Sequence, residues 1–435
     1  MRIGLIAMSG VRVRNPELAA LGVSLPQFVS RGRVIASLPS LGLLTVAGLT
    51  PREHEVLYLE FAELPPADQE LERFDLVGIS SFTAQIDEAY ALADRYRAIG
   101  VPVALGGLHV SLLPEEAARH ADAIVVNGAE GAWPRLLQDF QAGRMQPRYE
   151  GLRARVFEEP NYVLPRFELL RGRPYNRLTV QTSRGCPLDC EFCAASLRIT
   201  SSFQQKPVDK VVAEIRAARE VTSQPFFELA DDNTFISKKW GKELLRALRP
   251  LGIRWFTETD ISVADDEELL ELLAESGCAQ VLIGLESPDA GSLASLDPHN
   301  WKQRRCDDYL RAIERIQSRG VSVNGCFILG LDNHGPDIFE KVRDFVARAG
   351  LIEVQVTVQT PFPGTPLHAR LKREGRLLPE PYWDRCTLFD VTYEPLHMSR
   401  AELEAGMRWL FSELYNEREF LQRKRRYMEL VKQRI

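Results

Sequence analysis

Residues 182–196 read TSRGCPLDCEFCAAS, and this stretch decides how the rest of the chain is interpreted. It places Cys186, Cys190 and Cys193 in one C-x3-C-x2-C loop directly after an apolar strand candidate. Thiolates this close together can converge on an iron–sulfur cluster, which usually has four cysteine ligands. Because only three thiolates are local, one iron is left open to a substrate. The motif therefore predicts a 4Fe–4S cluster with one open iron.

Two other interpretations of the cysteine loop stay open. One is a zinc knuckle, which would need a fourth cysteine or histidine nearby, and the other is a set of buried structural cysteines. No histidine occurs between His120 and His299. An odd total of seven cysteines, three of them clustered, argues against a disulfide framework and for a reducing compartment. The remaining cysteines are predicted to be core residues: Cys278, Cys306, Cys326 and Cys386.

The segment that begins with this motif alternates apolar runs with helical patterns. Six βα units in succession predict a partial (βα)6 TIM-like barrel over residues 177–375, with its chemistry at the carboxyl ends of the strands. Gly330, which closes the fifth run, is predicted to permit a tight turn. The six runs are LTVQTSRG, FFELADDN, IRWFTETD, AQVLIGLES, VSVNGCFILG and EVQVTVQTPF.

The amino-terminal third shows the same alternation in a separate domain. Apolar runs separated by helices near 41–49, 84–98, 114–120 and 131–142 predict a parallel sheet covered on both faces, which is a doubly wound, Rossmann-like α/β domain over 1–145. Residues 146–176 break the pattern and are predicted to be a linker, and residues 376–435 are predicted to form a helical carboxyl-terminal domain. The amino-terminal runs are RIGLIAM, HEVLYLEF, DLVGISS, VPVALGG and DAIVVNG.

Composition restricts the partners. The formal net charge of -6 lacks the basic character of general nucleic-acid binding, so a small molecule or a peptide is the expected substrate. The amino terminus does not have the pattern of a signal peptide, and the longest apolar run, LGLLTVAGL, is too short to span a membrane. These features predict a cytoplasmic protein without a membrane span.

The cysteine motif, with Phe192 before its last cysteine and followed by the βα units, resembles the radical S-adenosylmethionine (SAM) superfamily. The resemblance implies that SAM chelates the open iron through its amino and carboxylate groups. It also implies reductive cleavage of SAM to methionine and a 5′-deoxyadenosyl radical, with electrons from a donor such as flavodoxin or ferredoxin. Phe192 is then expected at the SAM site.

The resemblance also implies SAM contacts at successive strand ends. An acidic segment after the second barrel strand meets the SAM amino group in relatives; it is usually written Gly-Gly-Glu there, whereas here it reads ELADDNTF. The next two strand ends correspond to positions that hold ribose, adenine or the carboxylate. Helix caps or turns are the alternative role for each residue. The candidates are Asp231, Asp232, Asn233, Glu258, Asp260, Glu286 and Ser287.

The phrases GGLHVSLLPEEAARHADAIVVNGAEG and PSLGLLTVAGLTP resemble the cobalamin-binding domain that precedes the barrel in one radical SAM subfamily. Glycines at strand ends let a large ligand approach the backbone. The motif Asp-x-His-x-x-Gly is absent, so no lower axial histidine is supplied, and His109 could equally be a core or capping residue. The candidate cobalamin contacts are Ser81, Thr83, Gly106, Gly107, His109, Gly128 and Glu130.

Three functions are compatible with these patterns. In cobalamin-dependent radical methylation, the deoxyadenosyl radical abstracts a substrate hydrogen and methylcobalamin delivers a methyl group to the carbon radical. In the second, the same radical chemistry forms rings or other carbon bonds, or rearranges a substrate, without methyl transfer. The third is an iron–sulfur electron-transfer protein without catalysis. The combined resemblance favours the first.

Overall fold

The computed structural model describes residues 1–20, 38–173, 175, 177–221 and 226–432. The chain divides into two compact units. The first consists of Met1–Arg12, Val34–Pro187 and Ala194–Pro225, and the second of Val13–Arg33, Leu188–Cys193 and Phe226–Ile435.

The described residues form these elements. The strands are β1 (Arg2–Met8), β2 (Glu55–Phe61), β3 (Leu76–Ser81), β4 (Val103–Gly106), β5 (Ala123–Val126), β6 (Arg148–Glu150), β7 (Leu178–Val180), β8 (Ser183–Arg184), β9 (Gln204–Gln205), β10 (Phe226–Leu229), β11 (Arg254–Thr259), β12 (Cys278–Glu286), β13 (Ser322–Leu329) and β14 (Glu353–Val358). The helices are α1 (Pro16–Ala20), α2 (Leu41–Leu49), α3 (Ile86–Ala98), α4 (Leu108–Leu112), α5 (Pro114–Ala117), α6 (Trp133–Gln141), α7 (Val208–Arg219), α8 (Lys238–Leu248), α9 (Glu267–Glu275), α10 (Trp301–Arg305), α11 (Tyr309–Gln317), α12 (Ile338–Ala349), α13 (Pro366–Arg373), α14 (Arg400–Leu414) and α15 (Glu417–Lys432).

The first unit contains a parallel sheet with the strand order β2-β1-β3-β4-β5-β6. Its central strands are apolar throughout because helices cover both faces; six of the seven residues of β1 are buried. The order reverses at β1, and ligands of such sheets bind beyond the carboxyl ends near that switch point. The predicted doubly wound domain is confirmed, and its topology predicts ligand binding at the carboxyl edge of the sheet.

One strand of this sheet was not predicted. This strand is β6, which lies in the segment predicted to be a linker and pairs with β5. Its sequence is Arg148-Tyr149-Glu150, in which only Tyr149 is buried, so it lacks the apolar run that marked the other strands. The limits predicted for the four domains stay predictions.

The second unit contains five parallel strands, β10 to β14, side by side in chain order. This consecutive order is typical of the wall of a (βα) barrel. The buried side chains of Phe227, Trp255 and Phe327 form part of its core. These five strands correspond to the second to sixth predicted barrel strands. The first predicted strand is β7, which belongs to the first unit, so all six are present.

β12 carries a local irregularity near its end. Its register against β13 shifts between Gly284 and Glu286, and Glu286 adopts a φ of 62°. Such a bulge bends a strand and redirects a side chain, and bulges are frequent next to functional sites. Glu286 therefore leaves the strand in a direction that regular pairing would not give.

The carboxyl-terminal region is helical from Arg400 onward rather than from its predicted start. Pro379, Pro381 and Pro395 precede the helices and remove backbone donors that a helix would need. Ser399 and Glu402 then form a capping box that starts α14. Within the described ranges, no helix has both the length and the apolar composition needed to cross a membrane.

We expect Gly330→Ala to destabilise the protein by about 3 kcal/mol, because overpacking adds to backbone strain. Gly330 has a φ of 80°, and an added methyl group would lie 2.2 Å from Tyr393 Oη. Gly320→Ala is the matched control: Gly320 has a φ of 81° but open space, so about 1 kcal/mol is expected. Urea unfolding measures both, and equal losses would contradict a packing role for Gly330.

Candidate functional sites

The carboxyl edge of the first sheet holds all seven residues predicted to contact cobalamin. Ser81 ends β3, and Thr83 begins the turn that follows it. Gly106 ends β4, and His109 lies on α4 directly beyond it. Glu130 follows β5. The topology thus brings together residues from three successive strand ends.

His109 is buried and hydrogen-bonded through its ring. Nδ1 lies 3.3 Å from Thr83 Oγ1, and Nε2 lies 3.2 Å from Glu116 Oε1. Glu116 also accepts a hydrogen bond of 3.1 Å from the Tyr90 hydroxyl. Because both ring nitrogens have partners, His109 links the loops after β3 and β4 in the manner of a core residue.

The same edge fits a large polar ligand in two respects. Ser81 Oγ is buried and has no hydrogen-bond partner among the described residues. Gly107 has a φ of 109°, and a methyl group there would lie 2.9 Å from Ser80 Oγ, so the backbone is open only because the residue is glycine. The carboxamide groups on the rim of cobalamin match an unsatisfied hydroxyl and an accessible backbone.

Glu130 is committed to an ion pair. Its carboxylate meets both terminal nitrogens of Arg184, at 3.1 and 3.3 Å, and the pair is largely buried. Gly128 leaves room for it, since a methyl group there would lie 2.4 Å from Glu130 Oε2. Because Arg184 lies two residues before Cys186, this pair ties the loop after β5 to the start of the cysteine loop.

The three cysteines of the loop differ in burial. Cys190 is buried, whereas Cys186 and Cys193 are half-buried. The amide of Cys193 donates to the carbonyl of Cys190 at 3.1 Å, which closes a tight turn between these two residues. Three soft sulfur donors suit an iron–sulfur cluster. Over the described ranges, no three His, Cys, Asp or Glu side chains already stand at metal-ligand spacing, and the ligand assignment stays a prediction.

The other cysteines differ in environment. Cys278, Cys306 and Cys386 are buried, as predicted for core residues, and Cys326 is half-buried. Burial raises the pKa of all four thiols, that of Cys306 to about 11 with a further contribution from Asp307. They therefore remain protonated at neutral pH and are poor metal ligands.

The predicted SAM residues after β10 and β11 form one hydrogen-bonded group. Asn233 Nδ2 donates to Asp260 Oδ2 at 2.8 Å, and Thr234 Oγ1 donates to Asp231 Oδ2 at 2.7 Å. Asp260 also caps the following turn by accepting from the Ser262 amide at 2.8 Å. The structure thus brings Asp231, Asn233 and Asp260 together, and Asp260 has the capping role given as its alternative.

Three other predicted SAM residues are more accessible. The Glu258 residue is exposed, and Asp232 and Phe192 are half-buried. Side chains with solvent access at the strand ends can meet a ligand directly, whereas the buried group beside them is better suited to hold the loops in place.

Glu286 is paired with a lysine that sequence reasoning missed. Lys302 Nζ lies 2.7 Å from Glu286 Oε1 and 2.7 Å from the Gly284 carbonyl, and both side chains are buried. Burial opposes the charge, but the Glu286 carboxylate and the Cys190 sulfur outweigh it, so the pKa of Lys302 is raised. No sequence signal marks Lys302, because a lysine in the charged run KQRR is typical of a solvated helix face.

Ser287 is held by a second residue that was missed. His334 Nδ1 accepts from the Leu331 amide at 3.3 Å, so its Nε2 carries the proton and donates to Ser287 Oγ at 3.1 Å. Burial lowers the pKa of His334 to about 4, which keeps the imidazole neutral. The position after FILGLDN could have been found, because it follows the fifth strand end.

We expect His334 to make stability pH-dependent. Its pKa is lower in the folded protein than in the unfolded chain, so the unfolded state binds more protons between about pH 4 and 6.5 and stability falls on acidification. The contribution lost between pH 7 and pH 5 is about 2 kcal/mol. Urea unfolding at both pH values measures the free energy of unfolding. Its decrease between pH 7 and pH 5 should be smaller by this amount in His334→Gln than in the parent. An identical pH dependence in the two proteins would refute the assignment.

Comparison with protein-family models gives three matches. Residues 180–346 match the radical SAM superfamily, and residues 32–137 match the B12 binding domain. Residues 365–435 match a domain of unknown function, DUF4070. The first two matches cover the segments in which sequence reasoning placed the cluster motif and the cobalamin contacts.

Curated relatives match over most of the chain. Bacteriochlorophyllide d C-12(1)-methyltransferase from Chlorobaculum tepidum is 27% identical over 86% of this chain and 82% of its own length. Bacteriochlorophyllide d C-8(2)-methyltransferase from the same organism is 28% identical over 88% of each. Hopanoid C-2 methylase from Rhodopseudomonas palustris is 26% identical over 79% of this chain and 66% of its own length.

Solved structures share the fold. The methyltransferase TsrM from Kitasatospora setae, with cobalamin and a 4Fe–4S cluster bound, has a TM-score of 0.64 at 16% identity, covering 94% of this chain and 85% of that one. The cobalamin-dependent radical enzyme OxsB, with aqua-cobalamin and SAM bound, has a TM-score of 0.68 at 15% identity, covering 98% of this chain and 70% of that one.

The fold and the two sites define a radical SAM protein with a B12-binding domain. The chain is related to the cobalamin-dependent radical SAM methyltransferases. The predicted α/β fold class is confirmed, and so are the predicted cofactors, a 4Fe–4S cluster, SAM and cobalamin.

Proposed function

We propose that this cobalamin-dependent radical SAM methyltransferase methylates a carbon atom of a small molecule. The observation that carries the proposal is the similarity, over more than four fifths of the chain, to two enzymes named for methylation at defined carbon positions. The net charge of -6 also favours a small molecule over a nucleic acid.

The proposal gives the residues separate tasks. When bound, the cluster and SAM supply a 5′-deoxyadenosyl radical, and cobalamin supplies the methyl group. Cys186, Cys190 and Cys193 hold the cluster through their thiolates. Phe192 and the strand-end residues from Asp231 to Ser287 surround SAM, with the accessible Asp232 and Glu258 best placed for direct contact.

The amino-terminal edge binds cobalamin in this proposal. Ser81 and Gly107 contact the cofactor, since one offers an unsatisfied hydroxyl and the other an open backbone. His109 would hold the loops after β3 and β4, because both of its ring nitrogens have hydrogen-bond partners. Thr83, Gly106, Gly128 and Glu130 complete the edge. The reductant is a donor such as flavodoxin or ferredoxin, and the reducing cytoplasm is the expected location.

A second candidate keeps the radical chemistry without methyl transfer. One relative, 23% identical over 80% of this chain, is the anaerobic magnesium-protoporphyrin IX monomethyl ester cyclase of Rubrivivax gelatinosus. The same cysteine loop and strand ends would serve a ring-forming reaction. Retention of cobalamin together with transfer of a labelled methyl group from SAM to a product distinguishes methylation from this candidate.

The cluster assignment is tested with Cys190→Ala. After anaerobic reconstitution with iron, sulfide, SAM and a reductant, the parent should form 5′-deoxyadenosine, and the variant should form none above background because a cluster ligand is lost. Cys278→Ala, at a buried cysteine on β12, is the control and should retain activity. Product formation by Cys190→Ala at the parental rate would mean that the radical assignment is wrong.

The cobalamin assignment is tested with Gly107→Val. Protein produced with cobalamin should show the visible absorption of the bound cofactor, and the valine side chain should abolish it by filling the open backbone. Gly100→Ala, which has a positive φ of 78° but nothing nearby, controls for strain. A colourless parent protein would contradict the methylation proposal. A Gly107→Val variant that binds as much cobalamin as the parent would show that cobalamin binds at another part of the protein.

A further inference from the structure

Glu191 lies between two of the predicted cluster ligands, separated from Cys193 only by Phe192. Its backbone is fixed on both sides. Its amide donates to the Leu296 carbonyl at 2.9 Å, and its carbonyl accepts from the Leu367 amide at 3.0 Å. Leu296 follows β12, and Leu367 lies in the first turn of α13, so two different strand-end segments hold this one residue.

The Glu191 side chain is held as well. Arg370 on α13 donates from Nη2 to Glu191 Oε1 at 2.8 Å and from Nε to Oε2 at 3.1 Å. This is the two-point arrangement in which a planar guanidinium fixes a carboxylate in orientation as well as in distance. Both side chains are three-quarters buried or more, which reduces the screening of the pair by solvent.

Arg370 is itself positioned by a neighbour. Its Nη1 donates to Asp332 Oδ2 at 2.6 Å, and Asp332 follows β13. Arg376 holds the other oxygen of Asp332 at 2.8 Å. Glu191 is thereby connected to the segments after β12, β13 and β14. The cysteine loop between Cys190 and Cys193 rests on an ionic network rather than on a helix or strand of its own.

We propose that Arg370 is a positioning residue for the iron–sulfur cluster: by clamping Glu191, it sets the separation of the Cys190 and Cys193 thiolates. The inference rests on the proposed function, in which these cysteines are ligands. Residues that orient metal ligands contribute substantially to metal retention without touching the metal. Arg370 lies 177 to 180 residues from the two cysteines in sequence, so no motif marks it.

The test uses the full-length protein reconstituted anaerobically. In Arg370→Gln, the cluster should be lost to a ferrous-iron chelator about tenfold faster than in the parent, the lower end of the effect typical of groups that orient metal ligands. Iron and sulfide per chain and the electron paramagnetic resonance signal of the reduced cluster are the readouts. Arg370→Lys keeps the charge but not the two-point contact, and it should recover only part of the loss.

The matched control is Lys372→Gln on the same helix. Lys372 pairs with Glu380 at 3.0 Å, outside this network, so its removal should leave cluster loss unchanged. Glu191→Gln should reproduce the effect of Arg370→Gln, and the double variant should be no worse than either, because both substitutions break the same contact. Glu191→Gln also serves as the test if Arg370→Gln fails to fold.

The outcomes separate the two claims. A parent that assembles no cluster overturns the proposed function and this inference with it. A parent with a cluster, together with Arg370→Gln and Glu191→Gln variants that retain it equally well, overturns only the role of Arg370. Additive losses in the double variant also overturn it, since they would show that the two side chains act independently.

Discussion

Parallel pairing is the constraint on which both units depend. Neighbouring parallel strands can be joined only by a long crossover, so a run of strands in one direction requires a helix or an extended segment between each pair. The carboxyl ends of the strands then collect at one edge, where the chain leaves the sheet and need not follow its pattern. In the first unit this edge carries Ser81, Gly107 and Glu130, and in the second it carries Asp231, Glu258 and Glu286.

Charged side chains at these edges are buried in pairs. Glu130 meets Arg184, and Glu286 meets Lys302. Removing a charge from water is costly unless a partner compensates, and breaking such a pair leaves the other charge exposed to that full cost. The pairs therefore act more as geometric restraints than as sources of stability. They fix loops that a sheet edge alone would leave free to rearrange.

The sequence allowed prediction of whatever depends on local pattern. Among the described residues, the two parallel sheets and β7 comprise twelve strands, and eleven of them follow from apolar runs in the sequence. The remaining strand, Arg148–Glu150, does not, because it buries only one side chain. The strand ends followed from the strands. Lys302 and Arg370 could not be assigned, because each owes its role to a partner that folding brings near. A lysine in a charged run and a lysine buried against a glutamate have the same local sequence.

The bulge in β12 has a consequence for the alternation of side chains. In a regular strand, successive side chains point to opposite faces of the sheet, so two neighbouring residues do not face the same side. The extra residue between Gly284 and Glu286 changes the alternation just before Glu286 and Ser287, and both of these side chains are buried. Deleting one residue here would restore regular pairing, and Glu286 would then follow the alternation of the strand. The bulge thus interrupts the alternation of side chains at the end of an apolar strand, where two polar residues, Glu286 and Ser287, follow each other.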